Sequence, residues 1–244
     1  MWLFVFHLTQ SSCTRVATYT NRPPRPNRNQ LFGACGAFSI EMGFNYEQVT
    51  ASVTNFVVPT VLWKYGVNSN FELRAITELI SSNTSKRNQT GLNPLGVGFK
   101  AKLSEAKGWV PMTSFIGHIY IPQTATPEFA TNSFASDFRF TLQHALTPKL
   151  NIGYNLGAEW DGNSSEATFI YTLTTAYSFN DFLGGYIEVF GFVPDQSKAS
   201  HLVDGGLTFL LTRDMQLDIS GGYKLSDNAP DFYGSLGFSM RLPR

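Results

Sequence analysis

Histidine is the side chain best suited to acid–base chemistry near neutral pH, and the chain has four: His7, His118, His144 and His201. His118 follows Ser114 by four residues, and His201 precedes Asp204 by three. A nucleophilic enzyme needs a hydroxyl or an activated water beside a base that a third group orients. Neither pair belongs to a recognised motif of that kind. We therefore expect that the protein is not an enzyme, and a lipase, acyltransferase or protease barrel remains as one alternative.

The two cysteines, Cys13 and Cys35, cannot form the usual metal site with four protein ligands. They either form one disulfide near the N-terminus or stay as two unpaired thiols. The glycines at positions 96, 98, 205 and 206 lie in strand-like segments and do not precede a helix, so they are not phosphate-binding loops. We therefore predict neither a metal ion nor a cofactor.

Charged side chains alternate with apolar ones along most of the chain. In Met215–Tyr223, for example, Leu217 and Ile219 share one parity while Asp218 lies on the other. A period of two is the strand period, because successive side chains point to opposite faces of a sheet. About twelve such segments of roughly ten residues recur, which is the length that crosses a bilayer at a tilt. The charged residues on the polar parity, predicted to line a common interior, are Glu41, Lys64, Glu72, Arg74, Glu78, Lys100, Lys102, Asp137, Arg139, Glu159, Glu188, Asp204, Asp218 and Arg241.

The composition excludes several classes of protein. The formal net charge is zero, so nothing indicates a nucleic-acid surface. No apolar run approaches the roughly 20 residues that a membrane-spanning helix needs, which excludes a helical membrane protein. The low charged fraction of 15% and the 21 phenylalanines fit both a transmembrane β-barrel and a soluble β-sandwich. The spacers between the predicted strands must therefore decide between these two folds.

Long and short spacers alternate nearly throughout the chain. Asn45–Asn55 and Ser81–Pro94 are long, whereas Asn180–Asp181 is short. Ser104–Val110 is the exception, because it is long where a short turn is expected. Outer-membrane barrels show this asymmetry, with short periplasmic turns and longer external loops. We predict an all-β fold, an antiparallel transmembrane β-barrel of about 12 strands with up-and-down topology and both termini in the periplasm.

Such a barrel must be closed, because an open sheet edge is not tolerated in lipid. The last strand-like segment, Phe232–Leu242, must therefore pair with the first, Ala37–Tyr46. The predicted domains are an N-terminal segment at residues 1–36 and the β-barrel at residues 37–242.

The N-terminal segment has two distinct parts. Met1–Leu8 is apolar but short and lacks a basic start, so it is either a truncated export signal or an ordinary terminus. Asn21–Asn29 is rich in proline and arginine, which predicts an extended linker because proline fixes φ and removes a donor. We expect the lipid bilayer of the outer membrane to surround the barrel, and any envelope-protein partner to bind through residues 14–36.

Seven short motifs, taken in order, carry a resemblance to a known family. They are Thr20–Pro23, Ala37–Tyr46, Pro59–Gly66, Phe71–Arg74, Leu95–Lys102, Ile119–Pro122 and Asn155–Gly162. Their order resembles the outer-membrane family named for the MetA pathway of phenol degradation, whose members are described as transporters. The resemblance covers about residues 20 to 240. It implies a β-barrel in the outer membrane of a Gram-negative bacterium, and it implies little about the cargo.

The sequence departs from the family pattern in two places. Asn21 stands where the family carries an acid in a Thr-Asp-Arg-Pro motif, so no role of that acid carries over. The chain ends on Arg241-Leu242-Pro243-Arg244 in place of a terminal aromatic, and Phe238 is the nearest aromatic residue. The second departure weakens the usual signal for barrel insertion.

Three functions fit these predictions. The first is a porin-like passive transporter or channel for small, aromatic or apolar molecules, with a narrow charged lumen that selects by charge and size. The alternative is a structural subunit of a larger envelope complex, in which the same charges pair across a closed lumen. A barrel enzyme is the third. A barrel of about 12 strands has a narrower interior than the open porins of 16–18 strands.

Overall fold

The computed structural model describes residues 36–50, 53–84 and 87–242, apart from the side chains of residues 84 and 87. Two 3₁₀ turns, Pro122–Thr124 and Pro127–Phe129, are the helical elements of these ranges. No helix within them is long and apolar enough to cross a membrane. The strands are β1 (Phe38–Thr50), β2 (Val53–Asn68), β3 (Phe71–Thr84), β4 (Arg87–Leu92), β5 (Leu95–Ser104), β6 (Met112–Ile121), β7 (Ala135–Ala145), β8 (Leu150–Trp160), β9 (Thr168–Ser178), β10 (Leu183–Pro194), β11 (Ser200–Leu210), β12 (Met215–Lys224) and β13 (Phe232–Leu242).

The strands form one antiparallel sheet that closes on itself. Strands that are consecutive in the chain are neighbours in the sheet, except that β4 and β5 both pair with β3. β1 also pairs with β13, from Phe38 opposite Leu242 to Gln48 opposite Phe232. The predicted pairing of the first and last segments is confirmed, and so is the antiparallel up-and-down barrel.

β4 and β5 together make one crossing of the barrel, so the thirteen strands correspond to a 12-strand barrel. β3 pairs with β4 along Leu79–Thr84 and with β5 along Phe71–Ile76. Asn93 and Pro94 separate the two strands. The proline interrupts the crossing because it cannot donate a backbone hydrogen bond to the ladder. The predicted count of about twelve strands is confirmed.

The loop at residues 122–134 completes the wall beside β4. On that side the Thr126 amide donates to the Leu92 carbonyl at 2.9 Å, and the Leu92 amide donates to the Thr126 hydroxyl at 2.8 Å. The Leu95 amide donates to the Thr124 hydroxyl at 2.8 Å. These bonds take the place of a ladder because β6 has already ended at Ile121.

The predicted spacers Asn45–Asn55 and Ser81–Pro94 are wrong, because strands continue through most of both. β1 runs to Thr50, and the ladder of β2 with β3 begins at Val53 opposite Thr84. The two stretches are rich in Asn, Ser, Thr and Gln, which favour turns and loops in a sequence. Here the polar residues belong to strand extensions, because an antiparallel sheet that leaves lipid tolerates water on its surface.

The strand directions define two ends of the barrel. The termini end carries Phe38, Leu242 and the turns 69–70, 105–111, 146–149, 179–182 and 211–214. The loop end carries the loops 122–134, 161–167, 195–199 and 225–231. The turn at 105–111, which includes most of the exceptional spacer, is extended by a bridge between Lys107 and Val110. Gly108 adopts a φ of 59° at its tip, a backbone conformation that favours glycine.

The outward parity of the strands carries an apolar surface. Leu156, Phe169 and Ile187 expose 57%, 59% and 66% of their surface there. Soluble monomers rarely expose a contiguous apolar patch larger than roughly a few hundred Å². A closed barrel with an apolar outer band matches the hydrocarbon core of a bilayer, so we call this the lipid-facing side.

A disulfide across the pairing of β1 with β13 is expected to form in a designed variant. Asn45 and Ser235 are directly opposite in the register. Paired Cα atoms on neighbouring strands are about 4.5–5.5 Å apart, within the reach of a disulfide. Asn45→Cys with Ser235→Cys, in a background that replaces Cys13 and Cys35 with serine, should therefore cross-link on oxidation. Non-reducing electrophoresis of the heat-denatured protein measures it.

The matched control for this cross-link is Asn45→Cys with Ser220→Cys. Ser220 lies opposite Ser235 on β12, so it is one strand farther from β1. Its Cα is about 10 Å from that of residue 45, too far for a disulfide. Equal cross-linking of both variants, or none in the first, would contradict the closure.

Candidate functional site in the barrel interior

The structure places all fourteen predicted charged residues on the inward parity of their strands. Seven of them are buried: Lys64, Glu72, Arg74, Glu78, Lys100, Glu188 and Asp204. The other seven are half-buried: Glu41, Lys102, Asp137, Arg139, Glu159, Asp218 and Arg241. Charges withdrawn from water favour pairing, so their partners decide what the interior does.

Opposite charges pair on the wall that β1, β2, β3 and β5 form. Lys64 Nζ donates to Glu41 Oε1 in a salt bridge. Arg74 Nε lies 3.4 Å from Glu72 Oε1. Lys100 is directly opposite Glu72 in the register and within electrostatic range of all four of these groups. The five side chains form one network that neutralises most of its own charge.

Asp137 is the centre of a second network, on β6 and β7. One carboxylate oxygen accepts a hydrogen bond from the Tyr120 hydroxyl at 2.7 Å, and the other lies 3.0 Å from His118 Nδ1. Arg139 lies within electrostatic range of both Asp137 and His118. The predicted pair of Ser114 and His118 shares the inward face, but the described hydrogen bond of His118 goes to the acid.

Two other histidines, His144 and His201, lie on the lipid-facing side. His201 Nδ1 is 2.8 Å from the Tyr171 hydroxyl, whereas Asp204 points into the barrel. Residues three apart in a strand lie on opposite faces, so His201 and Asp204 do not form a pair. His144 Nε2 is 3.4 Å from the Tyr154 hydroxyl. His7 is outside the described residues, as are both cysteines.

An apolar cluster inside the barrel is the main feature that the charge pattern does not predict. Its members each expose 5% of their surface or less, and they are Ile170, Phe190, Phe192, Leu202, Ala229 and Tyr233. Five come from the inward parity of β9, β10, β11 and β13 near the loop end, and the alanine comes from the loop at 225–231. The sequence did hold a signal, because Phe190 and Phe192 share the parity of Glu188.

Aromatic rings in this apolar cluster pack edge to face. The ring centroid of Phe190 lies 6.2 Å from that of Phe192 and 6.4 Å from that of Tyr233, with interplanar angles of 87° and 64°. Such geometry is the favoured one for aromatic pairs and adds to the effect of burial. The loop end of the interior is therefore packed with aromatic rings.

The loop at 225–231 covers the apolar cluster. The Asp231 amide donates to the Gln48 carbonyl at 2.8 Å, which ties the loop to β1. The Ser200 hydroxyl donates to a carbonyl of the same loop at 3.0 Å. Ala229 is thereby held against the aromatic rings and narrows the interior from the loop end.

Uncharged polar side chains lie beside the charged ones on the wall that β6, β7, β8 and β9 form. Those that are buried are Ser114, Thr141, Gln143, Asn151, Asn155, Thr172 and Thr174. Asn155 Nδ2 donates to the Thr172 hydroxyl at 2.7 Å. Amides and hydroxyls both donate and accept hydrogen bonds, so this wall can form hydrogen bonds with water or with a polar group of a solute.

A recess opens at the termini end of the interior. Its lining includes Asn68, Asn70, Glu72, Lys100, Lys102 and Ser114. Lys102 Nζ is 2.7 Å from Glu105, and Arg241 Nη2 is 2.5 Å from Asp214. These two predicted lumen residues therefore pair with residues of the turns and lie at the rim.

Asp161 shapes the loop at 161–167. Its Oδ1 accepts hydrogen bonds from the amides of Asn163 at 2.8 Å and Ser164 at 2.9 Å. Partial burial disfavours the charged form, but the hydrogen bonds favour it more, so the pKa of Asp161 is lowered from its usual value. The carboxylate is ionised at neutral pH and keeps the turn in place.

Several solved structures share this architecture. The COG4313 outer membrane channel from Pseudomonas putida F1 has a TM-score of 0.70 and 14% identity, covering 91% of this chain and 100% of that one. The NanC porin has a TM-score of 0.55 and 14% identity, covering 84% and 100%. The CymD monoaromatic hydrocarbon channel has a TM-score of 0.52 and 7% identity, covering 90% and 91%. No curated protein matches the chain.

At these identities the likeness shows the fold, which is that of outer-membrane channels and porins. A family model, by contrast, matches the sequence itself from residue 20 to residue 242. The match covers most of the chain and confirms the resemblance that the motifs carry. The chain therefore belongs to the family described as "Putative MetA-pathway of phenol degradation".

Proposed function

We propose that the protein is a passive outer-membrane channel for small apolar or aromatic molecules, with the termini end in the periplasm. The observation that carries this proposal is the apolar cluster inside the barrel at the loop end. An apolar solute moves favourably from water onto such a surface. A pore for hydrophilic solutes needs polar groups along its whole length instead.

Within this proposal twelve of the fourteen inward charges line a narrow lumen, and Lys102 and Arg241 lie at its rim. Opposite charges are paired, as at Lys64 with Glu41 and Arg74 with Glu72. Where opposite charges pair in this way, little net field remains, so along that wall size and polarity set the selectivity more than charge does. A 12-strand barrel is narrow in any case, because barrel diameter grows with the number of strands.

The related structures support a channel. One of them is described as a monoaromatic hydrocarbon channel, which makes aromatic hydrocarbons the first cargo to test. Their descriptions as channels and porins also support a function other than catalysis. The alternative of an envelope-complex subunit rests on residues 14–36, which lie outside the described residues except for Gly36.

Uptake by intact Gram-negative cells tests this function. The assay needs a whole outer membrane, since toluene crosses a simple phospholipid bilayer unaided. Cells that produce the protein should take up labelled toluene several-fold faster than cells that lack it, with arabinose uptake unchanged. A folded Phe190→Asn variant should lose most of this gain, because the mutation puts a polar group into the apolar cluster. Faster arabinose uptake with unchanged toluene uptake would contradict the proposal.

A further inference from the structure

Two buried carboxylates face each other inside the barrel. Glu188 on β10 and Asp204 on β11 are directly opposite in the register, and each exposes 4% of its surface. Like charges directly opposite on neighbouring strands destabilise a sheet. The carboxylate pair of Glu188 and Asp204 therefore requires a compensating positive charge, from a bound cation or a shared proton.

The protein supplies hydrogen-bond donors to only some of the oxygens of this carboxylate pair. The Thr174 hydroxyl donates to Glu188, and the Tyr233 hydroxyl donates to Asp204 Oδ2. Asp204 Oδ1 is buried and accepts no hydrogen bond from the part of the chain that the structure describes. Arg139, which acts on Glu188 electrostatically, belongs to β7, three strands away. One carboxylate oxygen is thus left for a donor that the described chain does not supply.

The lack of a side chain at Gly222 leaves room for Tyr233 to reach Asp204. Gly222 lies between these two residues, opposite Asp204 on one side and opposite Tyr233 on the other. A Cβ atom at Gly222 would be 2.2 Å from the ring of Tyr233. The ring therefore crosses β12 over the glycine, and its hydroxyl fixes the orientation of the carboxylate.

The apolar cluster ends on the carboxylate pair. Phe190 is the next inward residue after Glu188, and Leu202 is the inward residue before Asp204. Tyr233 belongs to both groups, since its ring packs against Phe190 and its hydroxyl bonds Asp204. An apolar surface and two acids of like charge thus form one continuous face of the interior.

We propose that this face binds the ammonium group of a small aromatic amine between Glu188 and Asp204, with its ring on the apolar cluster. An alkylammonium group offers three donors and a positive charge, which matches the open oxygen of Asp204 and offsets the like charges. Aromatic faces beside it attract the cation as well. This inference rests on the proposed function and specifies one class of cargo for it.

A divalent metal ion fits this face less well. Calcium takes about 6–8 oxygen ligands, and transition metals prefer imidazole or thiolate. No group of three or more His, Cys, Asp or Glu able to hold a metal occurs in the described ranges. Within the apolar cluster, the hydroxyl of Tyr233 is the one side-chain oxygen, and it already donates to Asp204.

Calorimetric titration of the full chain in a non-ionic detergent tests the inference. The probes are 2-phenylethylammonium and its neutral analogue 2-phenylethanol. The ammonium should bind at least about tenfold more tightly than the alcohol, because a charge-assisted hydrogen bond replaces a neutral one. Asp204→Asn and Glu188→Gln should each remove most of this preference and leave the affinity for the alcohol within about twofold. Asp195→Asn, an exposed loop change, is the matched control and should alter neither affinity.

Two results would overturn the inference. Equal affinities of the unmodified protein for the ammonium and the alcohol would remove the role of the carboxylates. Calcium chloride that binds alone and displaces the ammonium would assign the pair to a metal ion. Retained heat-modifiable mobility shows that each variant is folded. The proposed function and this inference fail on different measurements. Equal binding of the alcohol and the ammonium contradicts this inference alone. The proposed function is contradicted by the toluene uptake assay.

Discussion

Replacing Asp137 with alanine is expected to lower the free energy of unfolding by about 2–4 kcal/mol. Asp137 accepts a hydrogen bond from the Tyr120 hydroxyl and faces His118 Nδ1 at 3.0 Å. A hydrogen bond to a charged acceptor contributes roughly 1.5–3 kcal/mol, and a buried donor left without an acceptor costs about as much. The alanine variant leaves the phenol of Tyr120 without this acceptor inside the barrel.

Urea unfolding of the barrel in lipid vesicles, followed by tryptophan fluorescence, measures this loss. Asp137→Asn should be intermediate, because the amide oxygen still accepts a hydrogen bond but carries no charge. Asp195→Ala removes an exposed carboxylate from the loop at 195–199 and should change stability by no more than about 0.5 kcal/mol. If Asp137→Ala unfolds at the same urea concentration as Asp195→Ala, the network around Asp137 does not support the barrel.

Truncating the aromatic side chains of the apolar cluster is expected to open the lumen to ions. Phe190→Ala combined with Phe192→Ala removes two rings that are 2% and 4% exposed. A hydrophobic constriction resists water and ions, and conductance depends on the narrowest section. Single-channel conductance in a planar bilayer should rise at least about twofold. Uptake of toluene should fall in the same variant, because the apolar surface is smaller.

The matched control for this variant is Phe140→Ala combined with Phe169→Ala. These rings are 41% and 59% exposed on the lipid-facing side. The control removes the same number of atoms from the other face of the wall, so conductance should stay unchanged. Equal conductance of the control and the variant would show that the apolar cluster does not set the narrowest section.

Alternation of side chains predicted the strands, and the lengths of the spacers between them favoured a barrel over a sandwich. The pairing of Phe232–Leu242 with the first strand followed from the need to leave no edge in lipid, and the register confirms it. The errors lay at the loop end, in Asn45–Asn55 and Ser81–Pro94. Turn-forming residues dominate those stretches, and only pairing across the sheet shows that they continue the strands.

The candidate site could be predicted only in part. The alternation pattern assigned the fourteen charged residues to one face of the sheet. It does not show which residue each of them pairs with across the interior. The apolar cluster was missed because Leu202 and Ile170 contradict the rule that polar residues point inward. Such residues can be assigned to the interior only once their strand neighbours fix the parity.

The pairing of β1 with β13 also determines the order in which the barrel can be completed. β1 is synthesised first and β13 last among the described strands. Bringing such distant segments together costs more chain entropy than forming any of the hairpins between them. The hairpins can therefore assemble early, while the inward charges stay hydrated until the final strand arrives. A chain stalled before Phe232 would keep two unpaired edges and be prone to aggregate.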